Sequence, residues 1–248
     1  MTEAEIKREL QRLAPFHHEI ELPYGLSTQG TGLTRRQLDR TRLADLMRRA
    51  WSPVLELNDG SLAGRRVLDV ACSCGGASVA AARSGAERVV GIDVVERYVE
   101  QANFIMRALE LDNVEFRQLA IEAVDGSLGT FDVSLCFGLL YHLENPVLAM
   151  KRLAGVTERM LVIDTLLDKR HHDKPYWRMN FRGPSDDKTE STSLWRDKRI
   201  VQFTPTARAV EALLDFVGFP NVTRIDPGED SPPPYRSGRW ATFIARRS

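Results

Sequence analysis

Two carboxylates each close an apolar run: Asp69 in Val67-Leu68-Asp69-Val70, and Asp93 in Val89-Val90-Gly91-Ile92-Asp93. Between them, Ala71-Cys72-Ser73-Cys74-Gly75-Gly76 is a loop of small residues that leads into a helix-like stretch. An acid, a small-residue loop, a helix and a second acid are how the edge of a parallel sheet holds a nucleotide-type ligand. The position of Asp69 selects the ligand. At the end of the first strand a carboxylate meets a cationic amino-acid group, whereas a pyrophosphate in that place would be repelled. The pattern therefore points to S-adenosylmethionine and away from NAD. Asp93, with Val94 beside it, suits the two ribose hydroxyls, and Asp is also a good N-cap for the helix that follows. The two roles are compatible.

A second group lies further on. Ile121 and Glu122 follow the third apolar run. An apolar side chain there covers an adenine face while backbone or acid groups read its exocyclic amine; the plainer alternative is an ordinary exposed Glu. Phe137, Tyr141 and His142 follow the fourth run. Displacement of a methyl group from a sulfonium needs donor and acceptor aligned and water excluded. A hydroxyl acceptor also loses a proton, which a His removes near neutral pH. The alternative is that His142 orders its loop and Tyr141 packs. His17-His18 and His171-His172-Asp173 have no further ligands at a recognisable metal spacing, so no metal is expected.

These residues need a scaffold of alternating elements. Strands are expected at 66–71, 87–92, 114–118, 130–137 and 159–166, nearly apolar throughout, as strands buried on both faces must be. A helix is expected over 95–110, and another begins at Asn145-Pro146 and stops at Gly155. Thr204-Pro205 opens a further helix, and Asn221–Asp226 with Trp240–Arg246 form a closing strand pair. Residues 1–60 lack a strand pattern: Ala4–Leu13 is a short amphipathic helix, 16–23 an extended segment, and 34–51 a helix ended by Ser52-Pro53. The latter helix is basic (Arg35, Arg36, Arg40, Arg42, Arg48, Arg49), either a phosphate-facing or a solvated surface. Residues 168–200 are polar, aromatic and without a clean period, as an irregular insertion would be.

The 248 residues fit one large α/β domain with an N-terminal extension, and a formal net charge of zero argues against general nucleic-acid affinity. Cys72, Cys74 and Cys136 read as reduced thiols. The start lacks a signal-peptide apolar core and no run reaches membrane-spanning length, so a soluble cytoplasmic protein without membrane contact is expected.

At Asp69, Gly75, Asp93 and Phe137–Leu143 the chain resembles the class I S-adenosylmethionine-dependent methyltransferases over residues 60–246. It is most similar to the tRNA wobble-uridine carboxymethyltransferase branch. Ala120-Ile121-Glu122 stands where that branch has Gly-Ile-Glu, Leu139-Leu140-Tyr141-His142 where it has Val-Leu-Tyr-His, and Arg199–Thr206 where it has Arg-Asn-Val-Tyr-Phe-Ile-Pro-Ser. The usual Asp-x-Gly-x-Gly-x-Gly loop has lost two glycines, to Ala71 and Ser73. Both are small enough for close backbone approach provided neither needs positive φ.

The resemblance implies a Rossmann-like α/β fold: a mostly parallel seven-stranded sheet with a C-terminal antiparallel hairpin. Residues 1–60 would form an N-terminal helical cap, and 61–248 the methyltransferase domain, with 168–200 as a substrate-side insertion. Asp69, Ala71, Gly75, Asp93, Val94, Ile121, Glu122 and Phe137 would hold S-adenosylmethionine. Tyr141 and His142 would serve catalysis, and Arg199, Tyr141 and Trp177 the substrate. In the carboxymethyltransferases the residue matching Arg199 neutralises the carboxylate of a carboxylated cofactor; the alternative is a surface Arg in a charged run. The mixed, aromatic character of the N-terminal segment and of 168–200 favours a small organic acceptor and O-methylation, with a tRNA wobble uridine as the alternative. A homodimer through the N-terminal helices is a further expectation.

Overall fold

The structure, a computed structural model, describes residues 1–28, 51–170, 173–182, 200–226 and 228–247. The chain divides into two compact units, Met1–Gln118 and Leu119–Ser248.

The first unit opens with α1 (Glu3–Leu13), started by a capping box between Thr2 and Glu5. Three parallel strands follow: β1 (Arg66–Val70), β2 (Arg88–Asp93) and β3 (Val114–Gln118). They are linked by α2 (Gly76–Arg83) and α3 (Glu96–Ala108). Ile6, Leu10 and Leu13 recur at helical spacing on α1 and pack with Phe16, Ile20 and Leu22 onto Phe104, Ile105 and Ala108 of α3. Cys74 and Val79 belong to the same cluster, so the N-terminal segment shares a core with the loop after β1. The register sets Asp69 opposite Gly91 and Asp93 opposite Gln118. Phe116 explains Gly91: a Cβ there would lie 2.4 Å from the Phe116 ring.

The second unit carries β4 (Phe131–Phe137), α4 (Pro146–Val156) and β5 (Thr157–Leu166). Next come β6 (Trp177–Arg182), β7 (Ile200–Pro205), α5 (Ala207–Phe216), β8 (Asn221–Arg224), the short α6 (Pro233–Arg236) and β9 (Trp240–Arg246). As expected, Asn145 caps α4 by accepting from the Leu148 N–H, with Pro146 in the first turn. The seven-stranded sheet has the order β3-β2-β1-β4-β5-β9-β8. β4 and β5 pair in parallel, while β9 runs antiparallel to both β5 and β8. This is the mostly parallel sheet with a closing antiparallel pair that the sequence pattern predicts.

Four local expectations are corrected. Residues 168–200 are not irregular throughout, because β6 pairs antiparallel with β7 in a separate two-stranded sheet. A period of two is present there: Trp177, Met179 and Phe181 alternate with Arg178 and Asn180. Pro205 ends β7 and does not begin a helix; α5 starts at Ala207, capped by the Thr206 side chain on the Ala209 N–H. Gly155 lies inside α4, which ends one residue later. Residues 51–56 are helical, with the Pro53 carbonyl accepting from the Leu57 N–H at 3.0 Å, so helix is present at Ser52-Pro53 where a stop is expected. The rest of the helix expected over 34–51, with its arginines, lies outside the described residues. Among the described residues no helix is long and apolar enough to cross a membrane.

Candidate functional site

In the first unit the sheet ends in a tight loop. Ala71 (φ 58°), Ser73 (φ 50°) and Gly75 (φ 85°) all adopt left-handed backbone angles, at the three positions where the usual loop has glycine. The proviso that Ala71 and Ser73 avoid positive φ fails: the backbone shape is kept and the residue types are not. A left-handed L-residue costs roughly 1–2 kcal/mol, which neighbouring contacts must offset. The loop has such contacts. Ser73 N–H donates to Asp93 Oδ2 at 2.9 Å, and Ser73 Oγ lies 3.2 Å from His17 Nδ1. Gly76 N–H donates to His18 Nδ1 at 3.2 Å, and His18 N–H to Cys74 Sγ at 3.3 Å. Gly75 permits no side chain, since a Cβ would sit 2.8 Å from Phe116 Cζ.

Both acids are buried. Asp69 accepts from Ser78 Oγ at 2.6 Å. Burial pushes its carboxyl up to about 7, the bond from Ser78 pulls it back, and the charge of Asp93 adds to the rise. Such a carboxyl is one that a neighbouring cation would return to its ordinary range. Asp93 accepts the Val95 N–H on Oδ1 at 2.9 Å and the Ser73 N–H on Oδ2. Burial still holds it above the usual carboxylate range, against those two bonds. The helix cap position falls on Val95, and Asp93 serves it through the Val95 N–H. Val94 follows Asp93, and its carbonyl accepts from Gln118 Nε2. Burial also raises the thiols of Cys72 and, to about 11, Cys74. All three cysteines are buried and outside any disulfide, which suits small loop and core residues better than nucleophiles.

The second unit holds the remaining candidates. Ile121 is buried and Glu122 half-buried in a single 3-10 turn, Ile121–Ala123. Phe137 ends β4, and the turn Leu140–His142 follows. The Tyr141 and His142 rings lie 3.9 Å apart, and Trp240 meets Tyr141 edge-on at 5.2 Å. Gln202 Nε2 lies 2.8 Å from His142 Nδ1. An amide nitrogen only donates, so Nδ1 accepts and the neutral ring carries its proton on Nε2. In this arrangement the imidazole presents a donor at Nε2. Trp177 opens β6 opposite Pro205. Its neighbour Arg178 bonds the buried Asp168, which Arg170 also pairs at 2.8 Å; the bonds from Arg170 hold that carboxyl far below the usual range. Arg199 lies outside the described residues.

Sequence reasoning missed Ser78, Gln202 and Trp240, and weighed His17 and His18 only as metal ligands. Both reach the loop. The missing glycines at 71 and 73 were the signal that something had to hold that backbone. For Gln202 the signal was the polar alternation of Gln202 and Thr204 along β7.

The family profile described as "Methyltransferase domain" matches residues 61–174. The N-terminal domain of EvdMO1, solved with S-adenosylhomocysteine and D-fucose, superposes with a TM-score of 0.72 at 21% identity, over 100% of this chain and 98% of that one. The chain has the class I methyltransferase fold. Magnesium protoporphyrin IX methyltransferase from Synechocystis, solved with S-adenosylmethionine, shares it at TM-score 0.59 and 20% identity, over 88% of this chain and 87% of that one. Among curated proteins, the tRNA U34 carboxymethyltransferase of Marinobacter nauticus is 27% identical over 184 residues, 73% of this chain and 52% of the relative. The chain spans about half the length of the curated relatives it matches.

Proposed function

We propose that this protein is an S-adenosylmethionine-dependent methyltransferase. The observation that carries this is the pair of buried carboxyls at the ends of adjacent parallel strands, Asp69 and Asp93, flanking a loop with three left-handed residues. The donor set fits the ligand. Asp69 is a carboxyl in need of a cation and would take the amino-acid ammonium. Asp93 has both oxygens fixed by backbone N–H groups and would accept from the ribose hydroxyls. The left-handed loop brings backbone, not side chains, to the ligand. Ile121 and Glu122 would flank the adenine, with Val94 and Phe137 completing the apolar lining. The cofactor supplies a methyl group on a sulfonium, open to in-line displacement. His142, held by Gln202, would donate from Nε2 to the acceptor oxygen and orient it, with Tyr141 packed on its face; that oxygen would react as the anion, its proton released to solvent as it binds.

The acceptor with the most support is the wobble uridine of a tRNA. Several curated relatives are tRNA U34 carboxymethyltransferases at 27–29% identity. The match around Tyr141-His142 and at Arg199 points the same way; Arg199 is the residue that would meet a carboxylated cofactor. A small organic hydroxyl is the second reading, favoured by the likeness over the whole chain to a domain solved with D-fucose.

One assay separates the readings. The protein is incubated with S-adenosylmethionine or its carboxylated form, and with either unmodified tRNA or a panel of sugar hydroxyls, and products are read by mass spectrometry. A mass gain on the tRNA wobble nucleoside supports the first reading, and a gain on a small hydroxyl supports the second. If S-adenosylhomocysteine formation never rises with any acceptor, the methyltransferase reading fails.

A further inference from the structure

We propose that His17 and His18 are positioning residues that hold the cofactor loop in its ligand-binding shape, in place of the glycines it lacks. The inference rests on the cofactor reading above and names which side chains that site depends on. The loop has three left-handed residues, of which Gly75 alone adopts that conformation without strain. Ser73 needs external restraint, and it comes from a segment more than fifty residues earlier in the chain, which also bonds Gly76.

His17 and His18 grip the loop at consecutive points. His17 Nδ1 faces Ser73 Oγ at 3.2 Å, on the residue whose N–H is bonded to Asp93. His18 takes the Gly76 N–H on Nδ1 and gives its own N–H to Cys74 Sγ. Together they bracket residues 73–76. The grip is itself anchored. The His17 ring packs on Tyr98 of α3 at 4.9 Å, with Nε2 3.4 Å from the Tyr98 hydroxyl. Gln101 of α3, fully buried, donates to the carbonyls of Leu13 at 2.6 Å and Pro15 at 2.8 Å. Phe16 is buried beside Phe104, and Thr28 Oγ1 donates to the His18 carbonyl at 2.6 Å. Thus α3, which starts just after Asp93, also carries the brace for the loop that Asp93 bonds. The chain holds by long-range side-chain bonds a backbone shape that a glycine-rich loop adopts by itself.

The test is affinity of the full-length protein for S-adenosylhomocysteine, by calorimetry, across paired substitutions. Asn places an acceptor where His Nδ1 lies, and Gln places it one bond further out. His18→Asn should keep affinity within about twofold of the parent, while His18→Gln should lose about tenfold, the worth of one strong hydrogen bond. His17→Ala should lose about fivefold. Adding Ser73→Gly to His17→Ala should recover most of that loss, because glycine needs no brace at positive φ. A role in folding alone would not distinguish Asn from Gln at fixed melting temperature. Equal affinities for His18→Asn and His18→Gln, or no recovery by Ser73→Gly, would overturn the proposal. A parent that binds no S-adenosylhomocysteine would instead overturn the cofactor reading on which it rests.

Discussion

The loop after β1 and the turn after β4 occupy the same place in the strand-loop-helix pattern, yet they are built in opposite ways. The loop after β1 is made of backbone and short side chains: three left-handed residues between the buried Asp69 of β1 and the buried Asp93 of β2, with the Ser73 N–H bonded to Asp93. The turn after β4 presents long side chains, Tyr141 and His142, half-buried and ordered by other side chains, Gln202 and Trp240. Its partner strand β7 belongs to a ribbon whose other strand exposes Met179 and Phe181. A ligand of fixed shape is best held by rigid backbone and small groups. A site that must suit one acceptor among many is built from side chains, which change without disturbing the strands.

Substitutions can break that contrast. The largest effect is expected at Asp93→Ala, which removes two charge-assisted acceptors and frees the Ser73 N–H: affinity for S-adenosylhomocysteine should fall about a hundredfold in calorimetry. If it falls no more than for a surface acid, the first region is not the cofactor half. Gly91→Ala should destabilise by about 2 kcal/mol, seen as a lowered denaturant midpoint, because the Phe116 ring must move. An unchanged midpoint would show this half to be less tightly packed than the register requires.

Acid–base behaviour sharpens the contrast further. In the cofactor-free protein Asp69 keeps its proton up to about pH 7, well above its unfolded value. The folded state therefore binds the proton more tightly, and Asp69 contributes stability that is lost as pH rises from about 4 to about 7. If Asp69 takes the cofactor's ammonium as proposed, binding needs the carboxylate, and affinity for S-adenosylhomocysteine should rise by up to about tenfold per pH unit below pH 7 and level off above it. Asp69→Asn should remove that slope; a slope that persists assigns the titration to another group.

The smallest effect is expected in the second unit. Gln202→Leu should cut turnover about fivefold while cofactor affinity stays at the parental value. Gln202→Glu reverses the His142 tautomer by accepting from Nδ1. Turnover should then fall as for Leu if Nε2 donates to the acceptor, whereas a rise would make His142 a base.

Legibility in the sequence follows the same division. Asp69, Asp93 and the strands that carry them stood out because burial on both faces forces apolar runs, and an acid at the end of such a run is conspicuous. The brace from His17 and His18 was invisible because it joins residues far apart in the chain, and no local period records such a contact. β6 was hidden by its charge: Arg178 lies on the face that pairs with Asp168, so the alternation reads as a polar stretch. Pro205 looked like a helix start because proline favours a first turn; here it sits at the end of an edge strand, where a missing N–H is also tolerated.

The central claim is that the loop after β1 binds an adenosyl amino acid and not a dinucleotide. Calorimetric titration of the purified full-length protein with S-adenosylhomocysteine, and separately with NAD, tests it most directly. Saturable binding of S-adenosylhomocysteine at one site per chain, with no heat from NAD, is the predicted result. Binding of NAD, or no binding of S-adenosylhomocysteine by protein that is folded by circular dichroism, would contradict it.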